Sequence, residues 1–440
     1  MKFLLSTVIA LSLSALASAA TPFETHGRLR VAKSGTHLEH ADGTPFFFLA
    51  DTCWTGPALS TEKDWDKYLA DRKKKGFTAI QFNIVSPWRT APTDAEGNVS
   101  YAIKDGKLSL VEAFYKRLDA RLKAINDAGL LAVPVLVWAH KKGDAGKELT
   151  DEPLTDLCKL EVERYAKAQV LWILAGDNNY TVDADRWKKI GRAVFGDKPE
   201  HLVTTHPTGE NFPWAKWEDE KWLTVLGYQS GHGDSVQTLK WMTQGPVVEY
   251  GKRKEFTRPL INLEPPYEGH TGYSSKKPHS EESVRRAIYW SLLTAPVAGV
   301  TYGGHGVWSW HTKPGEEPTD HKGTGVAKVW SEAIDLPAAG QMKHVRDLFE
   351  SVEWTKLRPA PELVGKQSDD PAKFIACAAP PDQTQIVAYI PAGADMSLGL
   401  DMSEPFPTVW FNPRTGERTK GNAANLKTPD GKDWVLVVRP

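Results

Sequence analysis

Two acidic residues each follow an apolar run that has the character of a buried strand. Asp177 comes directly after V-L-W-I-L-A-G (170–176), and Glu264 comes directly after L-I-N-L (260–263). Two carboxyl groups facing one another across a bound sugar can cleave a glycosidic bond, because one protonates the leaving oxygen while the other acts at the anomeric carbon. The two positions therefore predict acid–base chemistry on an acetal, provided that the fold brings them together.

Each acidic residue also has a structural interpretation that remains open. An Asp at a strand end often caps the next helix, although Asp183 is better placed to cap the helix that follows Asp177. Glu264 could instead form an ion pair with a neighbouring Lys or Arg. The Pro265-Pro266 pair after Glu264 prevents a helix and favours an extended exit, which would help to aim the carboxylate.

The chain around these residues alternates between strand and helix patterns. Amphipathic segments, several of which begin at Ser or Thr, separate eight apolar runs typical of strands. These runs begin at Phe46, Phe77, Leu130, Val170, His201, Trp222, Pro259 and Gly299. Continuous apolar strands alternating with helices indicate a parallel sheet that is covered on both faces. Eight such units predict an α/β fold, a closed (β/α)8 TIM barrel.

Three regions of the chain differ in pattern. Residues 1–19 combine Lys2, an apolar run and Ala17-Ser18-Ala19, which predicts a signal peptide and a secreted, extracellular protein. Residues 20–351 are predicted to form the catalytic barrel, preceded by a β-hairpin over 28–45. Residues 352–440 contain short alternating strands with Pro and Gly turns, which predict a small all-β sandwich domain.

The candidate site follows from the barrel, because in this fold the site is built at the C-terminal ends of the strands. Besides the catalytic candidates Asp177 and Glu264, the polar and aromatic residues at these ends are expected to contact the substrate. They are Asp51, Trp54, Asn83, Trp88, Trp138, His140, Asn178, His206, Tyr228, Gln229, His232, Tyr302, His305 and Trp308. Amides, imidazoles and indoles suit a neutral polyhydroxylated ligand, and no Gly-rich phosphate loop appears among them.

Composition excludes several classes of partner and cofactor. The 440 residues carry a formal net charge of -1, so neither nucleic acid nor an anionic membrane surface is an expected partner. Seventeen Trp residues are a surplus that can either fill the core or pack against sugar rings, and the second use agrees with an oligosaccharide or polysaccharide substrate. The three Cys residues match no metal-site spacing, allow at most one disulfide and favour burial as small apolar side chains. We expect no metal or other cofactor, and the sequence makes no prediction of oligomeric state.

Four strand-end motifs carry a family resemblance. D-G-T-P-F-F-F-L-A-D-T-C-W, F-N-I-V-S-P-W, W-I-L-A-G-D-N and I-N-L-E-P resemble the apiosidase-type glycoside hydrolases of family 140, over roughly residues 28–350. The tail V-W-F-N-P-R-T-G-E is similar to a small β-domain that accompanies this family under the name of a collagen-binding domain. No residue of the tail indicates collagen, so we treat that name as the name of a fold.

The resemblance implies a retaining glycosidase with Asp177 as general acid/base and Glu264 as nucleophile. It also implies a substrate that carries β-linked apiose, the branched pentose of pectic rhamnogalacturonan II. Two functions of other classes remain open from the residues: a non-catalytic glycan-binding protein whose barrel only holds sugar, and a protein-interaction scaffold that uses the C-terminal β-domain.

Overall fold

The computed structural model describes residues 20–85, 93–319, 321–397, 406–422 and 426–439. The predicted signal peptide (1–19) and Trp88 lie outside the described residues. Eight strands form one parallel sheet: β1 (Phe48–Thr52), β2 (Ala79–Asn83), β3 (Leu131–Trp138), β4 (Leu171–Gly176), β5 (Leu202–Thr204), β6 (Leu226–Tyr228), β7 (Leu260–Asn262) and β8 (Gly299–Tyr302). Each corresponds to one of the eight predicted runs, and Pro134 is accommodated inside β3.

The eight strands close on themselves. Their order in the sheet is β5-β4-β3-β2-β1-β8-β7-β6, and β8 pairs with β1 from Gly299 opposite Phe48 to Tyr302 opposite Asp51. The remaining seam, between β5 and β6, is bridged where the backbone N–H groups of Thr224 and Val225 both donate to the carbonyl of Val203, each at 3.0 Å. The predicted TIM barrel is therefore confirmed.

Helices cover the outside of the barrel. They are α1 (Pro22–His26), α2 (Gly56–Leu59), α3 (Glu62–Lys74), α4 (Glu112–Asp127), α5 (Ala145–Glu148), α6 (Asp151–Arg164), α7 (Tyr180–Phe195), α8 (Val236–Gln244), α9 (Pro246–Gly251), α10 (Glu281–Leu293), α11 (Trp330–Ala333) and α12 (Pro337–Glu350). The side chains of Thr61 and Ser280 cap α3 and α10 by accepting a backbone N–H three residues later.

One predicted helix start is wrong. Asn179, not Asp183, caps α7, and its side chain accepts the N–H of Thr181. Asp183 lies inside the helix with non-helical backbone angles (φ -122°, ψ 26°), which kink the first turn. The side chain of Asp183 accepts hydrogen bonds from Asn178 at 2.7 Å and Lys147 at 3.2 Å instead, which is why it does not serve as a cap.

Alternation along the strands separates the barrel interior from the helix layer. Phe48 and Ala50 of β1 belong to an interior cluster together with Leu171 and Ile173 of β4. The residues between them point outward, so Leu49 and Trp172 pack with helices. Because successive side chains of a strand lie on opposite faces, this parity decides which strand-end residues reach the interior of the barrel.

A small sheet covers the N-terminal end of the barrel. Its strands are Leu29–Val31, Leu38–His40 and Pro45–Phe46, which pair antiparallel in that order. The first two form the predicted hairpin. Leu38 and Phe46 are buried against Leu131 and Leu171, the first residues of β3 and β4. A second hairpin, Tyr101–Lys104 with Lys107–Leu110, lies between β2 and α4.

The C-terminal region is all-β, as predicted. Six strands, β9 (Arg358–Pro359), β10 (Ala376–Ala379), β11 (Ile386–Ile390), β12 (Thr408–Phe411), β13 (Arg418–Lys420) and β14 (Trp434–Val438), form one antiparallel sheet in the order β9-β10-β11-β14-β12-β13. Four short 3-10 helices complete the described elements: Trp214–Trp217, Trp354–Lys356, Pro361–Leu363 and Pro371–Lys373. Both faces of the sheet are buried, since Val387 and Val435 pack toward the barrel while Ala388 and Leu436 face a separate core.

A buried ion pair fastens this sheet to the barrel. Arg285 of α10 donates to both carboxylate oxygens of Asp433, each at 2.9 Å, and the hydroxyl of Tyr389 donates to Asp433 Oδ2 at 3.0 Å. The side chains of Arg285 and Asp433 are only 2% and 1% exposed. The charge of each residue therefore depends on the other, because neither is solvated by water.

Asp433→Asn is expected to lower the free energy of unfolding by about 3 kcal/mol, since it removes the closest counterion of a buried guanidinium and leaves only the more distant Glu281 at 3.6 Å. Urea denaturation would measure the change. Asp347→Asn is the matched control, because Asp347 pairs with Lys343 on the exposed surface of α12 and such pairs contribute about 0.5 kcal/mol. Equal losses for the two variants would contradict the structural importance of the Arg285–Asp433 pair.

The expectation for the cysteines can also be compared with the structure. All three cysteines, Cys53, Cys158 and Cys377, are buried free thiols, which confirms the expectation that they are small core side chains. Among the described residues, no helix is both long enough and apolar enough to cross a membrane.

Candidate active site

A cavity of about 510 Å³ opens among the loops that follow the C-terminal ends of the barrel strands. Asp177 and Glu264 both line it. Its size is within the range of small-ligand pockets, about 300–1,000 Å³. The fold therefore brings the two predicted carboxyl groups, which are far apart in sequence, into one cavity.

Strand parity and a strained backbone direct Asp177 into the cavity. Leu171 and Ile173 of β4 point into the barrel, and Asp177 has the same parity, although Ala175 between them packs with the outer cluster. Its φ of 50° lies in the left-handed region, which is uncommon for a residue other than Gly. The side chain is 20% exposed, and its Oδ2 is 3.2 Å from His140 Nδ1. His140 Nδ1 is also 3.2 Å from the carbonyl oxygen of Asp177, so this imidazole contacts both the side chain and the backbone of Asp177.

Close packing against Trp138 explains why the residue before Asp177 is a glycine. A Cβ built on Gly176 would lie 2.2 Å from the ring of Trp138, whereas Cβ contacts below about 3 Å do not occur in proteins. The absence of a side chain lets the Trp138 indole lie against the backbone beside Asp177. Since Trp138 also lines the cavity, Gly176 determines the position of both residues.

Gly176→Ala is expected to lower kcat/KM by about a hundredfold while the fold persists, because displacing Asp177 by about 1 Å is enough for such a loss. Steady-state kinetics together with circular dichroism would measure both effects. Gly340→Ala is the control, since apart from the backbone of α12 itself and its chain neighbours no atom lies within 4 Å of the added methyl group. A wild-type rate for Gly176→Ala would contradict the proposed packing role.

A turn, and not strand parity, positions Glu264. β7 ends at Asn262, and Leu263 occupies the barrel interior. The side-chain oxygen of Asn262 then accepts the backbone N–H of Glu264 at 3.2 Å and that of Ser230 at 3.3 Å. These two hydrogen bonds fix the chain after β7, so the Glu264 side chain, which is 8% exposed, enters the cavity.

Two histidines contact the carboxylate of Glu264. His232 Nε2 is 2.8 Å from Oε1, and His206 Nε2 is 3.2 Å from Oε2. His206 is fully buried, and its ring lies 5.5 Å from that of Trp54 and 5.9 Å from that of Trp138. Among the described residues, the ion-pair partners of Glu264 are these two histidines and not a Lys or Arg, which was the alternative interpretation of this residue.

The surroundings shift the two carboxyl groups in opposite directions. Burial raises the pKa of Asp177, and the negative charge of Glu264 adds to this effect while His140 opposes it. Burial alone would also raise the pKa of Glu264, but the neighbouring imidazoles of His206 and His232 outweigh it and hold the pKa below the ordinary value. One group is thus favoured as an acid and the other as an anion, which is the division of roles that glycoside hydrolysis requires.

Several predicted contact residues line the cavity. They are Trp54, Trp138, His140, Gln229, His232 and Trp308. Trp54 and Trp138 pack edge to face, with ring centroids 5.2 Å apart. The indole N–H of Trp308 donates to His305 Nδ1 at 3.1 Å, and His305 Nε2 is 2.8 Å from the carbonyl of Gly325. His305 therefore lies behind the cavity wall and orients Trp308.

Four predicted contact residues point away from the cavity, and direct ligand contact is not expected there. Asp51 has the outward parity of Leu49 and accepts a hydrogen bond from Tyr68 of α3 at 2.6 Å. The side chain of Asn178 accepts a hydrogen bond from Lys147 Nζ at 2.9 Å and donates one to Asp183 Oδ1 at 2.7 Å. The other two are aromatic: Tyr228 packs against Phe212 and Trp241, and the Tyr302 hydroxyl donates to Glu268 at 2.7 Å.

The remaining two predicted residues lie beneath the cavity, and both are almost fully buried. Asn83 has inward parity on β2, and neither atom of its side-chain amide has a hydrogen-bond partner among the residues that the structure describes. His206 does not line the cavity, but it contacts Glu264, the backbone of Asp177 and the rings of Trp54 and Trp138, which do. Trp88 belongs to the residues that the structure does not describe.

The loop between β7 and α10 supplies site residues that the strand-end search missed. Tyr267, His270 and Tyr273 line the cavity. Tyr267 and His270 pack around His232 at centroid distances of 4.5 and 4.1 Å, and Tyr273 is 56% exposed at the rim. Burial, reinforced by the charge of Glu264, raises the pKa of Tyr267 well above its ordinary value. The aromatic run E-P-P-Y-E-G-H-T-G-Y was the available signal, because long loops at barrel ends often carry function.

Other strand-end loops add polar groups to the wall. Lys141 and Asp144 follow β3, Thr208 and Glu210 follow β5, and Lys322 and Thr324 follow β8. In the part of the chain that the structure describes, no group of three or more His, Cys, Asp or Glu side chains is arranged to hold a metal ion. The described lining therefore suits a polar ligand bound through hydrogen bonds and aromatic rings.

Comparison with known families divides the chain into two matches. The profile of the apiosidase-like catalytic domain matches residues 32–356. The profile described as "Putative collagen-binding domain of a collagenase" matches residues 359–439. A search among curated proteins found no match.

Solved structures with the same architecture include several sugar-cleaving enzymes. A "Glycoside hydrolase" aligns with a TM-score of 0.81 at 21% identity, over 96% of this chain and 98% of its own. A glycoside hydrolase family 5 protein from Bacteroides vulgatus ATCC 8482 also aligns with a TM-score of 0.81, at 20% identity over 96% and 95% of the two chains. An endo-1,4-β-D-mannanase from Thermotoga petrophila RKU-1 aligns at 0.51 and 14% identity, over 69% and 100%. At these identities the likeness establishes a shared fold.

Proposed function

Since the chain belongs to the apiosidase-like catalytic domain family, we propose that it is a secreted, retaining glycosidase that releases β-linked apiose from pectic glycans. The observation that carries the proposal is the pair of carboxyl groups in one cavity, Asp177 with a raised pKa and Glu264 with a lowered one. Support for secretion comes from the signal-peptide pattern of residues 1–19.

The roles of the two acids follow from their protonation. Glu264, held as an anion, is suited to attack the anomeric carbon and form a glycosyl-enzyme ester. Asp177, held protonated to a higher pH than an ordinary Asp, donates its proton to the departing oxygen. It then takes a proton from the water that hydrolyses the ester. The sugar would lie between them, bordered by the indoles of Trp54, Trp138 and Trp308.

Product analysis tests the activity and the substrate together. The protein is incubated with rhamnogalacturonan II and with a panel of 4-nitrophenyl glycosides that includes the β-apioside, and released sugars are identified by chromatography. We expect free apiose from the polysaccharide and hydrolysis of the apioside above that of the other aryl glycosides. Hydrolysis of a different glycoside alone would contradict the choice of apiose. Binding of the glycan without release of any sugar would indicate a glycan-binding protein instead.

The stereochemistry of the first product tests the retaining mechanism. Proton NMR of the β-apioside reaction, followed from the first minutes, is expected to show β-apiose before mutarotation produces the α anomer. The α anomer as the first product would indicate direct attack by water, and Glu264 would then act as a base and not as a nucleophile.

A further inference from the structure

Two imidazoles reach Glu264 from different strand ends in the same orientation. His206 Nδ1 accepts the backbone N–H of Asp177 at 3.4 Å, and His232 Nδ1 accepts that of Tyr267 at 3.3 Å. A ring nitrogen that accepts a hydrogen bond from an N–H group carries no proton itself. Each neutral ring must therefore carry its proton on Nε2, the atom that faces the carboxylate of Glu264.

The two contacts with the carboxylate are not equal. His232 Nε2 donates to Oε1 at 2.8 Å in a well-formed hydrogen bond. His206 Nε2 lies 3.2 Å from Oε2, but it is not aligned to donate a well-formed hydrogen bond to that oxygen. Oε1 is thus firmly held, while Oε2 is held weakly and lies next to the imidazole that also binds the backbone of Asp177.

We propose that His206 and His232 are positioning residues with different tasks, and that Oε2 of Glu264 is the atom that attacks the anomeric carbon. The inference rests on the retaining mechanism proposed above. A firmly bound oxygen is a poorer nucleophile, because attack would have to weaken its hydrogen bond. The weakly held Oε2 can form a new bond without first weakening a strong hydrogen bond.

The reaction assigns each oxygen a distinct state. Oε2 bonds to the anomeric carbon as the bond to the leaving oxygen breaks, and the leaving oxygen takes the electron pair and the proton of Asp177. Oε1 is then the carbonyl oxygen of the ester and still accepts from His232. In the second step the oxygen of water bonds to the anomeric carbon and its proton passes to Asp177, while Oε2 leaves with the electron pair and Glu264 is again a carboxylate.

His232 therefore acts on Glu264 throughout the cycle, whereas His206 acts mainly on the free carboxylate. His232→Met removes the N–H donor, and kcat/KM is expected to fall by about a hundredfold, as for other single donors to a reacting group. His232→Gln places an amide N–H near the former Nε2 and should recover most of that loss. His206→Met is expected to lower kcat/KM by less than about tenfold, because its contact with Oε2 is weak.

A pH profile separates this role from a merely structural one. Glu264 faces His206, His232, Asp177, Tyr267 and Tyr273, and the two imidazoles keep its pKa low despite burial. Loss of the His232 donor raises that pKa. The acid limb of kcat/KM should accordingly move to higher pH in His232→Met and return toward the wild-type position in His232→Gln.

The first experiment needs no substrate. Nitrogen-15 NMR of protein labelled at histidine, with signals assigned through His206→Gln and His232→Gln, is expected to show both rings at neutral pH as Nε2–H tautomers. His201, which precedes β5 at the opposite end of the barrel and lies 2.8 Å from the carbonyl of Ala166 through Nε2, is the control position. An Nδ1–H tautomer at His206 or His232 would overturn the proposal whether or not the protein is a glycosidase.

The second experiment measures kcat/KM against pH with 4-nitrophenyl β-apioside for the wild type, the His232 and His206 variants and His201→Gln. A larger loss for His206→Met than for His232→Met, or an acid limb that does not move in His232→Met, overturns the assignment of Oε2 while wild-type turnover upholds the proposed function. If the wild-type protein hydrolyses neither the apioside nor another aryl glycoside, the proposed function is wrong. The assignment of Oε2 as the attacking oxygen is then wrong as well.

Discussion

Glu264→Ala is expected to lower kcat by about four orders of magnitude or more, because it removes the group that forms the covalent intermediate. The variant also leaves a space beside the Nε2–H groups of His206 and His232, which are 3.2 and 2.8 Å from the carboxylate oxygens in the wild type. A small anion such as azide fits those two donors. Added azide should therefore restore turnover of an activated aryl apioside and give the α-glycosyl azide.

Alanine is preferred to glutamine at this position. Both oxygens of Glu264 face an imidazole N–H, so an amide NH2 group in Glu264→Gln would oppose one of the two donors and disturb the site for a second reason. The matched control is Glu268→Gln. Glu268 is buried in the same loop, but its carboxylate accepts from Tyr302 and from the backbone of Ala338 and does not line the cavity. Loss of activity in both variants, or failure of azide to rescue Glu264→Ala, would contradict the nucleophile assignment.

Asp177→Ala is expected to show losses that depend on the leaving group. With a sugar as the leaving group, kcat/KM should fall by about a thousandfold, because the departing oxygen needs a proton. With 2,4-dinitrophenolate the loss should be much smaller, since this group leaves without protonation. Comparing the two rates measures the acid role directly, and azide should now give the β-glycosyl azide from the ester on Glu264. Asp185→Ala, on the exposed surface of α7, is the control. A loss independent of the leaving group would contradict the role of Asp177.

The two pKa shifts predict the shape of the wild-type pH profile. Activity requires Glu264 as an anion, and its lowered pKa places the acid limb below the range of an ordinary Glu. Activity also requires Asp177 to be protonated, and its raised pKa extends activity upward until pH rises through that value. In Asp177→Ala the base limb should disappear for the dinitrophenyl substrate. A base limb unchanged in this variant would show that another group controls it.

Much of the fold follows from local patterns in the sequence. Continuous apolar runs such as 170–176, separated by amphipathic segments, predicted a parallel sheet covered by helices on both faces. The number of such units, eight, predicted its closure into a barrel. Strand parity was equally available. The inward residues of β1, β4 and β8 can be read by alternation, which would have excluded Asp51, Asn178 and Tyr302 from the contact residues.

Other features of the site depend on tertiary packing. Glu264 enters the cavity because Asn262 fixes a turn after β7, and no period in the sequence encodes that hydrogen bond. His206 is recognisable as a strand-end residue, but its contact with Glu264 requires β5 and β7 to lie on either side of β6 in the closed ring. The shifts of the two carboxyl pKa values arise from burial and from these neighbours, so they could not be obtained from residue types alone.

The helix α10 belongs to the cores of both halves of the molecule. Its residues Ala287, Ile288 and Tyr289 pack in one cluster with Val387 and Tyr389 of the C-terminal sheet, and the rings of Tyr289 and Tyr389 stack 4.7 Å apart. The same helix follows the loop that carries Glu264. Shared hydrophobic surface of this kind couples melting of the two halves, so calorimetry should record one cooperative transition. The C-terminal sheet thus supports the segment that bears the proposed nucleophile. Transferring the sheet to another enzyme would require transferring this helix as well.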